Sequence, residues 1–277
     1  FNLFLKTIMK KYFSFLLFAV VFGLALKSQP NMEIGVSGGA MYYIGDLNPT
    51  QHLNPELMQF AYGIFHRGNF NGRFGVKTQL AIGKVKGDDA LSTDLIQAQR
   101  NLSFSTDIYE LTSVVEFNFF SYSNFNQKEK VSPYLYGGLG FFLMNPQTEY
   151  LNNLYDLRAY NTEGQVESYK SFQASFPFGA GVKFKPVDRL SLHFDWGMRK
   201  TFTDYLDDVS TLYPNPNSIS SLTATLSNQS TNQLSALNNN WLTQRGNSKT
   251  NDWYSFINIG LSFRLTNDPS NCHFNPF

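Results

Sequence analysis

From residue 32 onward, apolar and polar side chains alternate one for one over long stretches of the chain. Residues 172–184 show this best. Phe172, Ala174, Phe176, Phe178, Ala180, Val182 and Phe184 fall on one face, and Gln173, Ser175, Pro177, Gly179, Gly181 and Lys183 on the other. Successive side chains of a strand point to opposite faces, so period two is a strand signal. In 253–265 the apolar set is Trp253, Ile257, Ile259, Leu261, Phe263 and Leu265, with Ser255 the exception. In 190–199 it is Leu190, Leu192, Phe194, Trp196 and Met198. Residues 106–119 place Tyr109, Leu111, Val115, Phe117 and Phe119 opposite Glu110, Thr112, Glu116 and Asn118. Residues 73–82 set Phe74, Val76, Leu80 and Ile82 against Arg73, Gly75, Lys77 and Gln79. Stretches 32–43, 57–67 and 133–143 alternate less cleanly but are rich in Gly, Tyr and Phe.

That makes eight predicted strands, several as long as the ~9–11 residues of a tilted membrane-spanning strand. The intervening connections are roughly 44–56, 68–72, 83–104, 120–131, 144–171, 186–188 and 201–252, and long ones alternate with short ones. Outer-membrane barrels have an even strand number, short periplasmic turns and long outer loops. The expectation is an all-β protein: an eight-stranded antiparallel transmembrane up-and-down β-barrel over 29–265, with long extracellular loops and both mature termini in the periplasm of a Gram-negative bacterium. A sheet in hydrocarbon must close to pair its backbone groups. At eight strands the interior is about filled by side chains. Arg73, Lys77, Glu110, Glu116, Lys183, Asp195, Arg199 and Arg264 are expected to pack inside as a charge network, giving a plugged barrel instead of a pore. Pro177 removes a ladder hydrogen bond, so a bulge is expected there. The middle of the last loop, about 215–240, is rich in Asn, Ser, Thr and Gln and is expected to be mobile.

The first residues change the compartment. Lys10 and Lys11 precede a mostly apolar run from Tyr12 to Leu26, then Lys27, Ser28 and Gln29. This reads as a secretory signal peptide over 1–28, with Met9 the expected start and cleavage near Ser28. The run is shorter than the ~20 residues of a spanning helix. Setting aside the four lysines of 1–28, which holds no acid, leaves 18 basic and 21 acidic side chains, a net charge of −3. No nucleic-acid footprint remains. Charged residues are 16% of the chain and aromatic residues 16%. The first value is below that of ordinary soluble domains, and the second suits aromatic girdles. A Phe-rich soluble sandwich is the competing reading. The single cysteine, Cys272, excludes an intramolecular disulfide. An interchain bond and an unpaired thiol both stay open. Residues 266–277 form the expected periplasmic tail.

Candidate chemistry is sparse. Ser191, His193 and Asp195 share one strand face and invite a triad reading. Residues i and i+2 on a strand are about 6.6–6.8 Å apart, too far for the contacts a triad needs, so packed interior polar residues are expected. His52, His66, His193 and His273 lack metal-ligand spacing, and Cys272-His273 is one pair without the rest of a zinc site. The Asp-rich pieces at Asp88-Asp89 and Asp204 to Asp208 lack the EF-hand pattern and are expected to be solvated loop charges. Neither a cofactor nor a small-molecule substrate is expected. Outer-membrane lipids are the expected surroundings.

Several blocks carry a family resemblance: Glu33 to Asn48, Arg100 to Phe104, Asp107 to Leu111, Val115 to Phe120, Pro133 to Gly140, Phe176 to Lys183, Trp196 to Asp208 and Arg245 to Tyr254. The more specific strings are in loops, around Gly45 and Asp46, around Asp204, Tyr205, Asp207 and Asp208, and around Arg245, Asp252 and Trp253. The chain resembles the PorG-like outer-membrane barrels of the type IX secretion system. The resemblance implies a non-enzymatic component of that machinery, which exports cargo and, in gliding species, adhesins. It implies association with a periplasmic ring of a PorK- or GldK-like lipoprotein and a PorN- or GldN-like protein. A structural or adhesive barrel without a secretion role, and a lipid A-modifying barrel enzyme, are the alternatives.

Overall fold

The computed structural model describes residues 32–49, 53–122, 130–187, 189–230 and 242–265. The expected signal peptide over 1–28, Cys272 with the rest of 266–277, and residues 231–241 lie outside the described residues. The described residues form nine strands: β1 (Met32–Ile44), β2 (Gln59–Asn69), β3 (Phe74–Asp88), β4 (Ser103–Asn118), β5 (Val131–Tyr150), β6 (Asn153–Asp156), β7 (Phe172–Val187), β8 (Leu190–Thr201) and β9 (Trp253–Arg264). All pairings are antiparallel. The order runs β4, β3, β2, β1, β9, β8, β7, β5, and β5 pairs back onto β4, so eight strands close a barrel. The short β6 hangs outside that circle, as a hairpin on the end of β5. β1 and β9 form the seam between the chain's first and last strands, with Glu33 opposite Arg264 and Ile44 opposite Trp253.

The outer surface is greasy. Phe60, Tyr62, Ile64, Leu80, Ile82, Tyr109, Val115, Leu139, Phe194, Trp196 and Ile259 are all exposed. On β4 the outward apolar positions run from Tyr109 to Phe119. Roughly ten steps of ~3.4 Å at a tilt of ~35–45° give a band of about 25 Å, the height of an outer-membrane barrel's apolar belt. Polar outward positions inside the belt satisfy each other: Thr78 and Ser113 hydroxyls lie 3.3 Å apart. A closed barrel with lipid-compatible walls and a charged interior is an outer-membrane barrel in design. No helix among the described residues is long and apolar enough to cross a membrane.

Three strands are longer than their apolar alternation predicts. β3 continues to Asp88, β4 begins at Ser103 and β5 continues to Tyr150. Beyond the belt the alternation keeps its phase and inverts its polarity. On β4, Asp107 and Ser105 now face outward, while Ile108 and Phe104 are buried inside. On β3, Lys84 and Lys86 face out and Val85 is fully buried; Lys84 pairs with Asp107 at 3.3 Å. Water replaces lipid outside this part of the barrel, so the polar face turns outward as in a soluble sheet.

Pro177 sits in register opposite Arg199, with no bulge. The expected bulge is instead a short gap. Pairing between β5 and β7 lapses between Gly137–Phe178 and Gly140–Ser175 and resumes in the same register. The shift of register in β7–β8 lies at the turn, between Phe184 and Val187.

The interior half near the short turns holds the charge network. Arg67 bridges Glu33 at 3.1 Å and Glu116 at 2.9 Å, and Lys183 reaches the same Glu116 oxygen at 2.5 Å. Lys77 lies 3.5 Å from Asp195, which also accepts hydrogen bonds from Tyr134 at 3.0 Å and Tyr136 at 3.1 Å. Arg199 pairs with Glu110 at 3.3 Å, and the Tyr254 hydroxyl donates to Glu110 at 2.5 Å. Arg264 is buried at the same end as Glu33. Arg73 is the exception among the expected inward charges. It lies in the β2–β3 turn, exposed, and donates to the Phe119 carbonyl at 3.0 Å. It precedes the first ladder pair of β3, so strand alternation does not govern its direction.

Candidate functional site

The long connections meet at one end of the barrel and form a packed cap. Its apolar layer joins inward barrel residues Met41, Val85, Ile108, Phe142, Met144 and Phe256 to loop residues Leu47, Leu102, Leu157, Leu206, Val209 and Leu226. Short helices brace it. Leu95–Arg100 is capped by the Asp94 side chain on the Ile96 N–H, and Ser221–Ser227 by Ser220 on the Thr223 N–H. Within the stretch 215–240, expected to be mobile, Leu226 is buried in the cap. Its part from 231 on lies outside the described residues.

Above this layer sits a buried ionic network built from all four long connections. Glu163 accepts from the Ser210 and Thr211 N–H groups at 2.8 and 3.0 Å and from Arg245 Nη1 at 3.0 Å. Arg245 also donates to the Asp208 carbonyl, lies 3.5 Å from the Asp208 carboxylate, and sends Nε to the Ser227 carbonyl at 3.2 Å. Arg100 clamps Asp89 through Nε and Nη2 at 2.7 and 2.8 Å and donates to the carbonyls of Arg245 and Asp46. Asp46 accepts from the Asn247 N–H at 2.7 Å. Asp208, at φ 67°, accepts from Thr162 and from Tyr169 at 2.7 Å. The Tyr169 and Tyr205 rings stack at 4.6 Å.

Burial pushes these carboxyls up: Asp204 to about 7 and Asp208 to about 6, the latter against the opposing pull of Arg245. Asp46 and Asp89 are raised for the same first cause. Asp88 is partly exposed, but Asp89, Asp207 and Asp208 are buried, which corrects their reading as solvated loop charges. Each has backbone or side-chain donors that take the place of water.

Gly45, Asp46, Asp204, Tyr205, Asp207, Asp208, Arg245 and Asp252 thus come together in three dimensions. Gly45 is there because the chain passes too close for a side chain: a Cβ would lie 2.0 Å from the Tyr43 hydroxyl oxygen and 2.1 Å from Asp252 Oδ1. Trp253 leaves the cap and faces outward, with Lys200 Nζ 5.8 Å from its ring centre and Phe178 at 6.1 Å. Sequence reasoning missed Tyr43, Arg100 and Glu163 as members. The first two lie in strings that carry the resemblance. Glu163 sits in a long polar loop with no local pattern to mark it.

Of the candidate triad, the Ser191 hydroxyl accepts from Tyr122 at 2.8 Å, while His193 Nε2 lies 3.4 Å from Asp195 and its ring packs edge-on against Phe65 at 5.0 Å. Ser191 and His193 are separate members of the interior packing. Among the described residues, no group of three or more His, Cys, Asp or Glu side chains is arranged to hold a metal ion.

The family described as "Domain of unknown function (DUF6089)" matches residues 10–234, most of the chain. The chain belongs to the DUF6089 family. Among curated proteins, no sequence matches it. Solved structures similar to this DUF6089 barrel include the attachment invasion locus protein Ail of Yersinia pestis (13% identity, 85% of this chain, 97% of that chain, TM-score 0.38). Neisserial surface protein A is similar at 9% identity over 84% of this chain and 97% of that one, TM-score 0.39. OprG of Pseudomonas aeruginosa is similar at 11% identity over 85% and 97%, TM-score 0.38.

The cap of this DUF6089 protein and its barrel should come apart in a mutational test. Arg245→Ala leaves Glu163 and Asp208 buried without their guanidinium, a loss of about 3 kcal/mol. Protease cleavage within 203–252 should accelerate by roughly a hundredfold, because cleavage follows the open population. Glu163→Gln keeps part of the hydrogen bonding and should give a smaller acceleration. Heat-modifiable gel migration of the barrel should stay unchanged in both. Loss of migration together with loop release would mean that cap and barrel are one cooperative unit.

Proposed function

We propose that this protein is a non-enzymatic outer-membrane component of the type IX protein secretion machinery, serving in gliding species as well, and that it anchors or organises the periplasmic ring of PorK/GldK-like and PorN/GldN-like proteins. The observation that carries this reading is the convergence of the specific loop strings. The residues by which the sequence resembles PorG-like barrels, around 45–46, 204–208 and 245–252, are those that build one buried network. Asp46 and Asn247 meet in that network across 200 residues of chain, which a chance likeness of separate strings does not require. The filled, charge-paired interior favours a scaffold over a conduit. In this reading the short-turn end, where Met32 and Leu265 are hydrogen-bonded neighbours, faces the periplasm. The surfaces proposed to meet the ring are the turns 68–72, 120–131 and 186–188, with the tail 266–277.

The test is affinity purification of the tagged full-length protein from its own membranes under mild solubilisation, with mass-spectrometric identification. Co-purification of the ring lipoprotein and its partner is expected. Their absence, with sorting-domain cargo still exported after gene deletion, would leave a structural or adhesive barrel.

A further inference from the structure

Tyr43 poses a hydrogen-counting problem. Its hydroxyl oxygen lies 2.5 Å from Asp207 Oδ2 and 2.8 Å from Asp252 Oδ1. All three side chains are buried, at 0% exposure for Tyr43 and 1% for each aspartate. A phenol carries one hydrogen, and an ionised carboxylate carries none. With both aspartates ionised, one of the two contacts is oxygen lone pair against lone pair. Neither carboxylate has a cation within ion-pair distance among the described residues. Their other oxygens are satisfied by backbone: the Val209 N–H donates to Asp207 and the Leu206 N–H to Asp252.

We propose that the loop cap is an acid-tightened latch, in which Asp252, Tyr43 and Asp207 share one hydrogen more than the phenol supplies, and that losing it as pH rises opens the 203–211 segment. In the closed state one carboxyl is the acid. It donates to the phenol oxygen, and the phenol donates to the other carboxylate. When the shared proton leaves, two carboxylates face each other across the phenol in a dry site, with one phenol hydrogen between them and the Leu206 and Val209 N–H groups as their backbone donors. Those two residues also belong to the apolar layer that seals the barrel end, so the electrostatic change acts directly on the cap's packing.

The surroundings hold the proton in place. Asp46 beside β1, Asp204 and Asp208 from the β8–β9 loop, and Glu163 from the β5–β7 loop add negative charge. Arg100 and Arg245 oppose it but are engaged by Asp89, Glu163 and Asp208. Burial, then neighbouring carboxylates, push Asp207 and Asp252 well above the usual carboxylate range, and Asp207 is the largest charge acting on Asp252. A carboxyl raised in the folded state contributes stability that is fully present below its unfolded value of ~3.9 and is lost as pH climbs to the folded one. The latch is therefore tightest in acid and loosens as pH climbs toward the raised folded-state value.

The experiment uses the full-length protein in detergent micelles. Amide exchange of 203–211, corrected for intrinsic base catalysis, should rise about tenfold per pH unit above the open-state carboxyl value of ~3.9 and level off once the shared proton has left the closed state. Asp252→Asn supplies a permanent donor to the phenol and should flatten that dependence; Asp207→Asn should do the same from the other side. Asp204→Asn should leave it steep. Infrared difference spectra of the wild type should show a protonated-carboxyl band persisting above the ordinary carboxylate range, and Asp252→Asn should remove the part of it that the shared proton contributes. A wild type with flat exchange, an Asp252→Asn variant as steep as wild type, or no such band would overturn the proposal. So would loop release by a calcium chelator at constant pH, which would make the cluster a cation site.

Discussion

Arg67→Leu is expected to lower the stability of the barrel by about 3–5 kcal/mol, the largest loss from any single charge in the interior. Arg67 is fully buried on β2 and is the one group that touches both Glu33 and Glu116. Its removal takes a buried guanidinium from Glu33, which also accepts from Asn69 at 3.1 Å and Ser262 at 2.7 Å. Glu116 then depends on Lys183 alone. Breaking a buried pair costs more than the pair contributes, because the remaining charge stays desolvated. Combining Arg67→Leu with Glu33→Gln should therefore recover part of the loss. The measurement is denaturant unfolding of the barrel in lipid vesicles, followed by heat-modifiable migration. A loss below about 1 kcal/mol, in the range of exposed pairs, would mean that the network is hydrated and does not fix the interior.

Arg67 also shows where sequence reading stopped short. The stretch 57–67 alternates weakly because His66 and Gly68 fall on the lipid-facing parity with Phe60, Tyr62 and Ile64. The inward parity holds Ala61, Gly63, Phe65 and Arg67, and this set becomes clear only when Glu33 is placed opposite Arg67 across β1 and β2. Strand alternation gave Lys77, Glu110, Glu116, Lys183, Asp195 and Arg199 from the sequence because each lies within a run whose outward partners are greasy. It could not give the lengths of β3, β4 and β5. Apolar residues mark the outer face within lipid and the inner face above it, so the inversion at Ile108 and Tyr109 reads as the end of a strand when only one polarity is sought.

The cap was legible in a different way. Its aspartates stood out as strings and not as a site, because the contacts that unite Asp46, Asp207, Asp252, Arg245 and Glu163 join three connections distant in sequence. Composition made Asp204 to Asp208 look solvated. Only the backbone donors at Leu206 and Val209 show how Asp252 and Asp207 tolerate burial.

Gly39→Ala should prevent the barrel from closing, whereas Gly38→Ala next to it should be nearly silent. The two glycines are consecutive on β1 and look equivalent in the sequence. Gly39 faces inward opposite Asn258 of β9; a Cβ there would lie 1.9 Å from the Ile257 carbonyl oxygen and 3.0 Å from Asn258 Cα. Those are backbone atoms, so no side chain can turn away. Relief requires the two strands to move apart by more than an ångström, which breaks ladder hydrogen bonds at the β1–β9 seam. Overpacking that side chains can absorb costs about 1–3 kcal/mol, and this clash should exceed that range. Gly38 points to lipid, where a Cβ meets only the Ala61 carbonyl at 3.9 Å. Its replacement should change stability by no more than about 0.5 kcal/mol. Refolding each variant into lipid vesicles and measuring the heat-modifiable fraction checks both. Equal behaviour of the two would mean that β1 does not meet β9 in this register. The barrel would then have to close elsewhere, since the seam is where the first and last strands make a sheet into a membrane-spanning wall.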